Sequence, residues 1–513
     1  MNWPEVVLVS NCRRETDADF MPPAKRSKVD AAAADGADAL ARAASKFIDS
    51  TPTPFHMCSE AGAFLEAAGF TELSEKEDGW RKLLKPGSSY YYVRNGSTLV
   101  AFTVGAAYKA GNGFRVVGAH TDSPVLKLKP CSKKSAHGYL QLSVETYGGG
   151  LWHTWFDREL TLAGACIVKE GATFKKKLVH VRRPILRVPS LCIHLQQPEE
   201  RAKFAPNKET HLQPVFALIC DQLNKPTPPS APSAKDDELD ERHSPELLTL
   251  LAGELHCAPS DILDFELTLC DAQPSQIWGL HNEFLSSPRL DNQIHCFTAL
   301  RALAEHAKTM GSAQDDIALI ALFDHEEVGS ESYCGAGSTV MGDAMARLSA
   351  CFAPDEAQAA SECLMVTTRK SFLISADVAH AVHPNYSEKH HASHAPKLNG
   401  GTVIKTNDNQ RYATNAESGF ILRELARRAG TAVQEFMVKN DCPCGTTIGP
   451  IIASRTGLRT VDVGVPSLSM HSIRETVGTK DVDNSYQLFR TFFTTFGELD
   501  NACDFRCVTC DPQ

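Results

Sequence analysis

Apolar residues fall into short continuous runs, separated by stretches in which they recur every three or four positions. The continuous runs are typical of buried strands and occupy residues 89–93, 99–104, 114–118, 317–323, 372–376 and 460–463. The spaced pattern predicts amphipathic helices, the first from about residue 37 and the second over roughly 56–68. Strands that alternate with helices in this way predict an α/β fold, in which helices cover both faces of a central sheet.

The pattern changes between residues 128 and 261. Short β-type runs separated by turns fill this segment, at 162–168, 178–181 and 185–188. A Pro-rich and acidic stretch at 225–238 is expected to form an exposed loop. We therefore predict a β-rich domain at 128–261, inserted so that the α/β domain is divided into segments 37–127 and 262–500.

Both ends of the chain lack a helical or strand period. Residues 1–36 combine a basic cluster at 25–28 with a run of Ala, Asp and Gly, so we expect a disordered leader, although the cluster also resembles a nuclear-import signal. Residues 501–513 form a tail in which Cys507 and Cys510 have the spacing of a zinc knuckle, but no second pair follows them. We expect neither end to belong to the folded domains.

Composition and charge exclude several classes of protein. Hydrophobic residues make up 42% and charged residues 22% of the 513 residues, as in ordinary globular proteins. The 17 cysteines show no disulfide framework, and no apolar segment is long enough for a signal peptide or a membrane span, so a cytoplasmic location is expected. The net charge of -10 provides no field that would attract nucleic acid or an anionic membrane.

Metal-binding side chains stand at the ends of three predicted strands. His120 ends one apolar run, Asp377 directly follows another, and the pair Glu326 and Glu327 comes soon after a third. Ligands bind outside the carboxyl ends of the strands in open α/β sheets, so these side chains are expected to converge on one crevice. Taken alone, His120 is more typical of a buried histidine with satisfied hydrogen bonds.

The adjacent carboxylates of Glu326 and Glu327 predict a division of roles. Two carboxylates after an apolar run are costly to bury unless they are paired or bind a metal. On an exposed loop the same two residues would not indicate a functional site. Neighbouring residues that leave a strand point in different directions. One glutamate can therefore bind a cation while the other faces the substrate as a general base.

Asp291 and His471 are candidates to complete a metal site. Asp291 precedes the apolar stripe of a predicted helix, where it would either cap the helix or bridge two cations held in one site. His471 follows the last β-type run. A set of two histidines and three carboxylates favours zinc, with cobalt or manganese as substitutes.

Seven motifs, in a fixed order, carry a resemblance to a known family. They are GAHTDSP at 118–124, YGGG at 147–150, WFDR at 155–158, RLDN at 289–292, EEVGS at 326–330, DVAHAVHPNY at 377–386 and CGTTIGP at 444–450. In these motifs the chain resembles the aspartyl aminopeptidases, a family of co-catalytic metallo-exopeptidases, from about residue 38 to about residue 500. The resemblance implies a zinc-exopeptidase-like fold, with a central mixed sheet flanked by helices and interrupted by a β-rich dimerisation domain.

The resemblance also implies the roles of the metal-site residues. His120 and Asp377 would bind separate zinc ions of a pair, Asp291 would bridge them, and Glu327 and His471 would complete the two sets of ligands.

Two catalytic residues are implied beside these ligands. Glu326 would be the general base, and Asp122 would stand behind the His120 ring and orient it. The implied activity is the removal of N-terminal Asp or Glu from peptides by a water molecule that the two zinc ions activate.

Further residues are implied to contact the substrate. They are His194, His380, Lys405 and Tyr412, together with Glu326, Asp377 and His471. Lys405 would pair its ammonium with the acidic side chain of the substrate, although a surface lysine is the alternative. His194 would reach the active site of a neighbouring subunit, in a tetrahedral dodecamer assembled from dimers. One departure is His325, which stands where the family usually has Asn.

Two other functions remain open at this point. The first is an aminopeptidase of the same fold that prefers neutral residues, in which only the pocket for the first side chain would differ. The second is a non-catalytic shell or scaffold protein. The presence of all five candidate ligands and of the candidate base speaks against the second.

Overall fold

The computed structural model describes residues 28–219, 239–354 and 357–505. The α-helices in this part of the chain are α1 (Lys28–Ser50), α2 (Pro54–Ala67), α3 (Trp80–Leu83), α4 (Pro198–Ala202), α5 (Leu239–Arg242), α6 (Pro245–Leu255), α7 (Leu290–Thr309), α8 (Val340–Phe352), α9 (Ala357–Lys370), α10 (Ala416–Ala429), α11 (Ile448–Thr456) and α12 (Thr479–Ala502). Short 3-10 helices occupy Trp152–Trp155, Ile193–Leu195, Pro259–Asp261, Glu326–Val328 and Ser387–Lys389. Among the described residues, no helix combines the length and the apolar character needed to cross a membrane.

The strands of the described residues form three sheets. They are β1 (Thr71–Glu72), β2 (Ser89–Arg94), β3 (Thr98–Val104), β4 (Phe114–His120), β5 (Val125–Ala136), β6 (Tyr139–Tyr147), β7 (Leu160–Glu170), β8 (Thr173–His180), β9 (Val215–Leu218), β10 (Ile262–Asp271), β11 (Gln276–Trp278), β12 (Phe284–Ser287), β13 (Ile317–Phe323), β14 (Phe372–Ala376), β15 (Ala379–His380), β16 (Thr402–Lys405), β17 (Val433–Phe436), β18 (Arg459–Gly464), β19 (Pro466–Leu468) and β20 (Glu475–Gly478). The strand orders are β1-β2-β3-β13-β4-β14-β18-β16-β17, β8-β7-β10-β5-β6-β9 and β11-β12-β20-β19-β15.

The largest sheet is mixed, and helices cover both of its faces. β4 is parallel to β13 on one side and to β14 on the other, whereas β3 runs antiparallel to β13. Side chains of a strand point alternately to the two faces of a sheet. Val117 and Ala119 of β4 accordingly share an apolar cluster with α2, α7, α10 and α12, while Phe114 and Val116 share another with α3, α8 and α11. The predicted α/β fold with a central mixed sheet is confirmed.

The six-stranded sheet is antiparallel and has an apolar core of its own. Leu128, Leu162 and Leu269 lie in this core. The sheet begins at Val125 of β5 and ends at Asp271 of β10, so it extends beyond the predicted bounds of 128 and 261 at both ends. The division of the chain into domains, and the role of this sheet in dimerisation, stay predictions.

Two local expectations differ from the structure. Residues 28–36, predicted to belong to the disordered leader, are helical, because their alanines favour a helix even without an amphipathic period. Residues 185–188 form only isolated bridges, since Pro184 and Pro189 flank them and proline cannot donate to a strand ladder. Residues 1–27, the predicted loop at 225–238 and the cysteine pair near the C-terminus lie outside the described residues.

Candidate metal centre

Three neighbouring strands bring predicted site residues to one edge of the largest sheet. β4 ends at His120, Asp377 directly follows β14, and the 3-10 helix Glu326–Val328 follows β13 after a two-residue link. Because these strands are parallel, their carboxyl ends meet at the same edge. His120 and Asp377 are buried there, and Glu326 is largely buried, with 12% of its side chain exposed.

Asp291 lies between the two candidate histidine ligands. It stands near the start of α7, and His471 lies in the loop between β19 and β20. Its Oδ1 atom is 3.3 Å from His120 Nε2, and its Oδ2 atom is 3.4 Å from His471 Nε2. One carboxylate therefore faces both imidazoles with different oxygens, as a ligand shared by two cations would.

The remaining carboxylates divide between the two histidines. Asp377 Oδ2 lies 3.8 Å from His120 Nε2, and Glu327 Oε2 lies 3.4 Å from His471 Nε2. His120, Asp291 and Asp377 form one group whose ligand atoms lie within 4.8 Å of one another, and Asp291, Glu327 and His471 form a second. The two groups share Asp291, so the geometry offers two adjacent positions for cations.

The chemistry of these residues fits zinc. Asp291 Oδ1 and Glu327 Oε1 are buried oxygens that accept no hydrogen bond from the described residues. Burial and the charge of Asp291 raise the pKa of Glu327 well above its usual range. Buried carboxylates of this kind are costly unless a cation binds them. Two imidazoles with three carboxylates make a donor set that zinc accepts.

Asp122 holds two parts of the site in place. Its Oδ1 atom lies 3.4 Å from His120 Nδ1 and accepts the backbone N–H of Glu326 at 3.0 Å. Its Oδ2 atom accepts the hydroxyl of Tyr147 at 2.7 Å and the N–H of Glu327 at 3.1 Å. Although burial opposes ionisation, the hydrogen bonds from His120 and Tyr147 hold the pKa of Asp122 below its usual range. The backbone carbonyl of Asp122 also accepts from His120 Nδ1 at 3.0 Å, so the main chain and the side chain of Asp122 together orient the His120 ring. The side chain also holds the start of the turn that carries Glu326 and Glu327.

Glu326 has the surroundings expected of a proton acceptor. Its carboxylate accepts no hydrogen bond from another described residue, and its Oε2 atom lies 4.0 Å from His120 Nε2. Burial raises the pKa of Glu326 to about 8, with His120 opposing this rise and Asp377 adding to it. A carboxylate that is free to move and holds a proton more readily than usual is suited to general base work near neutral pH.

Sequence reasoning missed Glu475, a buried residue at the start of β20. Its Oε2 atom accepts the backbone N–H of Asp291 at 2.8 Å, and its Oε1 atom accepts the N–H of His471 at 2.7 Å. One carboxylate therefore fixes the backbone beneath two candidate ligands. The only signal in the sequence is a glutamate within a strand-like run, which is rarely buried without partners.

The glycine segment after Tyr147 forms the wall behind Glu327 and His471. Gly148 has a φ of 74°, and an added Cβ would lie 3.2 Å from the Cβ of Glu327. The carbonyl oxygen of Gly149 lies 3.1 Å from His471 Nδ1 and accepts a hydrogen bond from it. These positions give the motif at 147–150 a physical reason, because a side chain at Gly148 would be strained and would press on Glu327.

The predicted substrate residues on β15 and β16 lie together beside Asp377. Lys405 is buried, and its ammonium donates to Asp377 Oδ1 at 3.1 Å and to the carbonyl of Val378 at 2.8 Å. The same ammonium lies 5.5 Å from the centre of the Tyr412 ring. His380 borders this cluster with an exposed side chain. Since an ammonium has three N–H donors, Lys405 keeps one donor beyond these two contacts.

His194 is not brought to this site. It lies in the exposed 3-10 turn Ile193–Leu195 and forms no hydrogen bond or ion pair with the candidate ligands in the described part of the chain. His325, by contrast, adjoins the glutamate pair. Its Nδ1 atom lies 2.8 Å from Ser332 Oγ, so the imidazole joins the two ends of the loop after β13.

Comparison with known proteins identifies the family. Residues 47–493 match the family described as aminopeptidase I zinc metalloprotease (M18). The aspartyl aminopeptidase of Aspergillus oryzae is 46% identical over 475 residues, covering 87% of this chain and 94% of that protein. In the solved structure of the Ape4 and Nbr1 complex, a chain with 43% identity matches with a TM-score of 0.86, covering 92% of this chain and 88% of that one.

A solved dodecamer also resembles this chain. The mApe1 dodecamer of S. cerevisiae matches with a TM-score of 0.78 and 31% identity, covering 91% of this chain and 99% of that one. The chain belongs to the M18 family of aminopeptidase I zinc metalloproteases. It is therefore a zinc-dependent aminopeptidase, and the resemblance to the aspartyl aminopeptidases is confirmed.

Proposed function

We propose that this chain is a two-zinc aminopeptidase that removes Asp or Glu from the N-termini of peptides. The position of Asp291 carries the proposal. Its two oxygens face His120 and His471 separately, at 3.3 Å and 3.4 Å, so one carboxylate can serve two cations at once. His120 and Asp377 would hold one zinc ion, Glu327 and His471 the other, with Asp291 between them.

The residues around the cations would divide the work of peptide hydrolysis. When bound, the zinc ions would supply Lewis-acid chemistry that polarises the scissile carbonyl and lowers the pKa of the attacking water. Glu326 takes a proton from the attacking water and delivers it to the leaving nitrogen. Asp122 keeps the His120 ring in place and anchors the backbone of Glu326 during this transfer.

Recognition of an acidic first residue is assigned to the cluster beside Asp377. Lys405 keeps one donor and a positive charge in a buried position, where it can pair with the carboxylate of a substrate. A neutral first residue would leave this donor without an acceptor, which disfavours it. Tyr412 and His380 would enclose the same side chain. The aspartyl aminopeptidase names of relatives such as those of Aspergillus oryzae and Dictyostelium discoideum support this choice of substrate.

Self-association is part of the proposal. We assign dimers that assemble into a tetrahedral dodecamer, as the dodecameric state of the S. cerevisiae relative supports. His194 would then enter the active site of a neighbouring subunit, which agrees with its exposed position in the 3-10 turn Ile193–Leu195. A cytoplasmic location fits the cysteines of the described residues, which are free thiols.

A substitution of Glu326 tests the chemistry. Glu326→Gln is expected to lower kcat about a thousandfold, because a base central to the reaction is removed, while the zinc content is retained. Glu331→Gln is the matched control, since Glu331 is exposed in the same loop and its one ion pair within the described ranges is with Arg455 at 3.0 Å. The rates are measured on Asp-, Glu- and Leu-initiated peptides, with the metal content of each variant determined by mass spectrometry.

The outcomes separate the parts of the proposal. Near-normal turnover of Glu326→Gln would remove Glu326 as the base. Equal kcat/KM values for Asp- and Leu-initiated peptides would instead favour an aminopeptidase that prefers neutral residues. A wild-type protein that binds zinc and hydrolyses none of the peptides would support the non-catalytic shell.

A further inference from the structure

A polar cavity, separate from the candidate metal centre, lies between the six-stranded sheet and the start of α7. Its volume is about 170 Å³. His180 and Arg182 line it from the end of β8, Asp271 from the end of β10, and Arg289 from the residue before α7. Arg182 is exposed, so the cavity is accessible from the surface on that side. None of the candidate metal ligands lines it.

Several nitrogen atoms around this cavity lack an acceptor. Arg289 donates from Nη2 to the carbonyl of Ile48 at 3.0 Å, but its buried Nε atom has no hydrogen-bond partner among the described residues. The buried Nδ1 atom of His180 has none either. Arg182 forms no hydrogen bond or ion pair with any other residue of the described ranges. Buried polar groups are normally satisfied, so the buried nitrogens of Arg289 and His180 indicate a missing partner, whereas the exposed Arg182 adds donors that water can reach.

The charges near the cavity also leave a surplus of guanidinium groups. Asp271 is already paired with Arg158 at 2.6 Å and with Arg474 at 3.1 Å. Asp49, the other carboxylate in the lining, accepts the N–H and the hydroxyl of Ser275. Asp271 is thus shared by two arginines outside the cavity lining, and the single charge of Asp49 is left to offset the two guanidinium groups of Arg182 and Arg289.

The histidine in the lining adds no positive charge. Burial and the cation of Arg182 together lower the pKa of His180 to about 3. The ring is neutral at pH 7 and can donate one N–H. The cavity thus presents two guanidinium groups and a neutral imidazole, and Asp49 is the one carboxylate among the described lining residues that forms no ion pair.

We propose that this cavity binds a tetrahedral oxyanion of the phosphate or sulfate class between Arg182 and Arg289. The planar guanidinium group presents its donors in a fork that matches two oxygens of such an ion. The cavity is large enough for the ion with accompanying water, since one water molecule takes about 30 Å³ of liquid volume. The oxyanion accepts from the Nε atom of Arg289 and from the ring of His180.

Binding at this position stabilises the segment that carries Asp291. Arg289 adopts a left-handed backbone conformation with a φ of 59° directly before α7, and Asp291 is two residues further along. An anion held by the Arg289 side chain therefore restrains the start of the helix from outside the active site. This inference does not depend on the acidic substrate preference proposed above.

Titration of the zinc-loaded full chain with sodium phosphate tests the proposal. The heat of binding and the thermal midpoint are measured with sodium phosphate and with sodium sulfate. Sodium chloride and sodium acetate at equal ionic strength serve as control salts. Arg182→Gln is the test variant, and Arg183→Gln is the matched control, because Arg183 is also exposed and lines a different cavity. Neither arginine contacts the candidate ligands, so both variants are expected to keep the basal kcat.

Phosphate and sulfate are expected to bind and to raise the thermal midpoint of the wild-type protein and of Arg183→Gln. Arg182→Gln is expected to bind phosphate about tenfold more weakly, because one charge-assisted contact is lost. Phosphate that binds at the zinc ions would instead cause competitive inhibition of peptide hydrolysis. The strength of this inhibition would be equal in the wild type, Arg182→Gln and Arg183→Gln.

Three results would overturn the proposal. The first is the same phosphate affinity in Arg182→Gln as in the wild type. The second is an equal loss in both variants, which would show a general effect of surface charge. The third is a rise in the thermal midpoint with acetate as large as that with phosphate, which would show that the cavity does not select a tetrahedral ion.

Discussion

Replacing Glu475 by glutamine exchanges one buried oxygen for an NH2 group and keeps the shape of the side chain. In the native chain the two carboxylate oxygens accept the backbone N–H groups of Asp291 and His471 at 2.8 Å and 2.7 Å. Glutamine has only one acceptor oxygen, so its NH2 group would face the other N–H donor. The backbone beneath one of the two ligands must then shift, or its N–H stays unsatisfied.

The size of the effect follows from the lost contact. Burial raises the pKa of Glu475 to about 8, and the backbone N–H groups of Asp291 and His471 favour its charged form. A hydrogen bond to that carboxylate contributes about 1.5–3 kcal/mol. Because about 1.4 kcal/mol corresponds to a factor of ten in an equilibrium constant, the Kd for zinc is expected to rise about tenfold to a hundredfold. Replacement of residues that support metal ligands typically costs about as much.

Competition with a chromophoric chelator measures the zinc affinity of Glu475→Gln. Glu417→Gln serves as the control, since Glu417 is an exposed residue of α10. Denaturant unfolding of the zinc-free proteins is measured in parallel, so that a general loss of stability can be separated from a loss of zinc affinity. A zinc Kd equal to that of the wild type would refute the reasoning, because Glu475 would then not hold the ligands in place.

Two further predictions concern the charges of the site. Lys405→Met is expected to lower kcat/KM for Asp-initiated peptides about tenfold more than for Leu-initiated peptides; an equal fall would mean that Lys405 only holds Asp377. In the zinc-free protein, the free energy of unfolding should fall as the pH rises from 4.5 to about 8. Burial raises the pKa of Glu326 to about 8, so over this range the folded chain keeps a proton that the unfolded chain has lost. Denaturant titrations at both pH values should show a shallower fall for Glu326→Gln, and an unchanged slope would contradict this assignment.

The sequence carried most of the information about where the strands end. His120 and Asp377 could be placed at one sheet edge because each stands at the end of an apolar run, and the parallel pairing of β4 with β14 brings them together. The contacts of Glu475 could not be predicted, because its partners are backbone N–H groups, which almost every residue type has. Lys405 could be placed near a strand, but its contact with Asp377 depends on β18 lying between β14 and β16 in the sheet.

The contribution of proline and alanine to local structure was also underestimated. Residues 185–188 have a strand-like composition, yet Pro184 and Pro189 prevent a continuous ladder. Residues 28–36 show no apolar period, yet their alanines sustain a helix. In both places the physical cause is a backbone preference, which hydrophobic periodicity does not report.

The candidate zinc ligands are spread over most of the chain, from His120 to His471. Synthesis proceeds from the N-terminus, and domains fold as they emerge. His120 therefore leaves the ribosome long before His471, and the shared carboxylate of Asp291 can serve only one histidine until synthesis is nearly complete. A growing or prematurely terminated chain would lack a member of the proposed ligand set, so peptide hydrolysis is expected only once translation has passed His471.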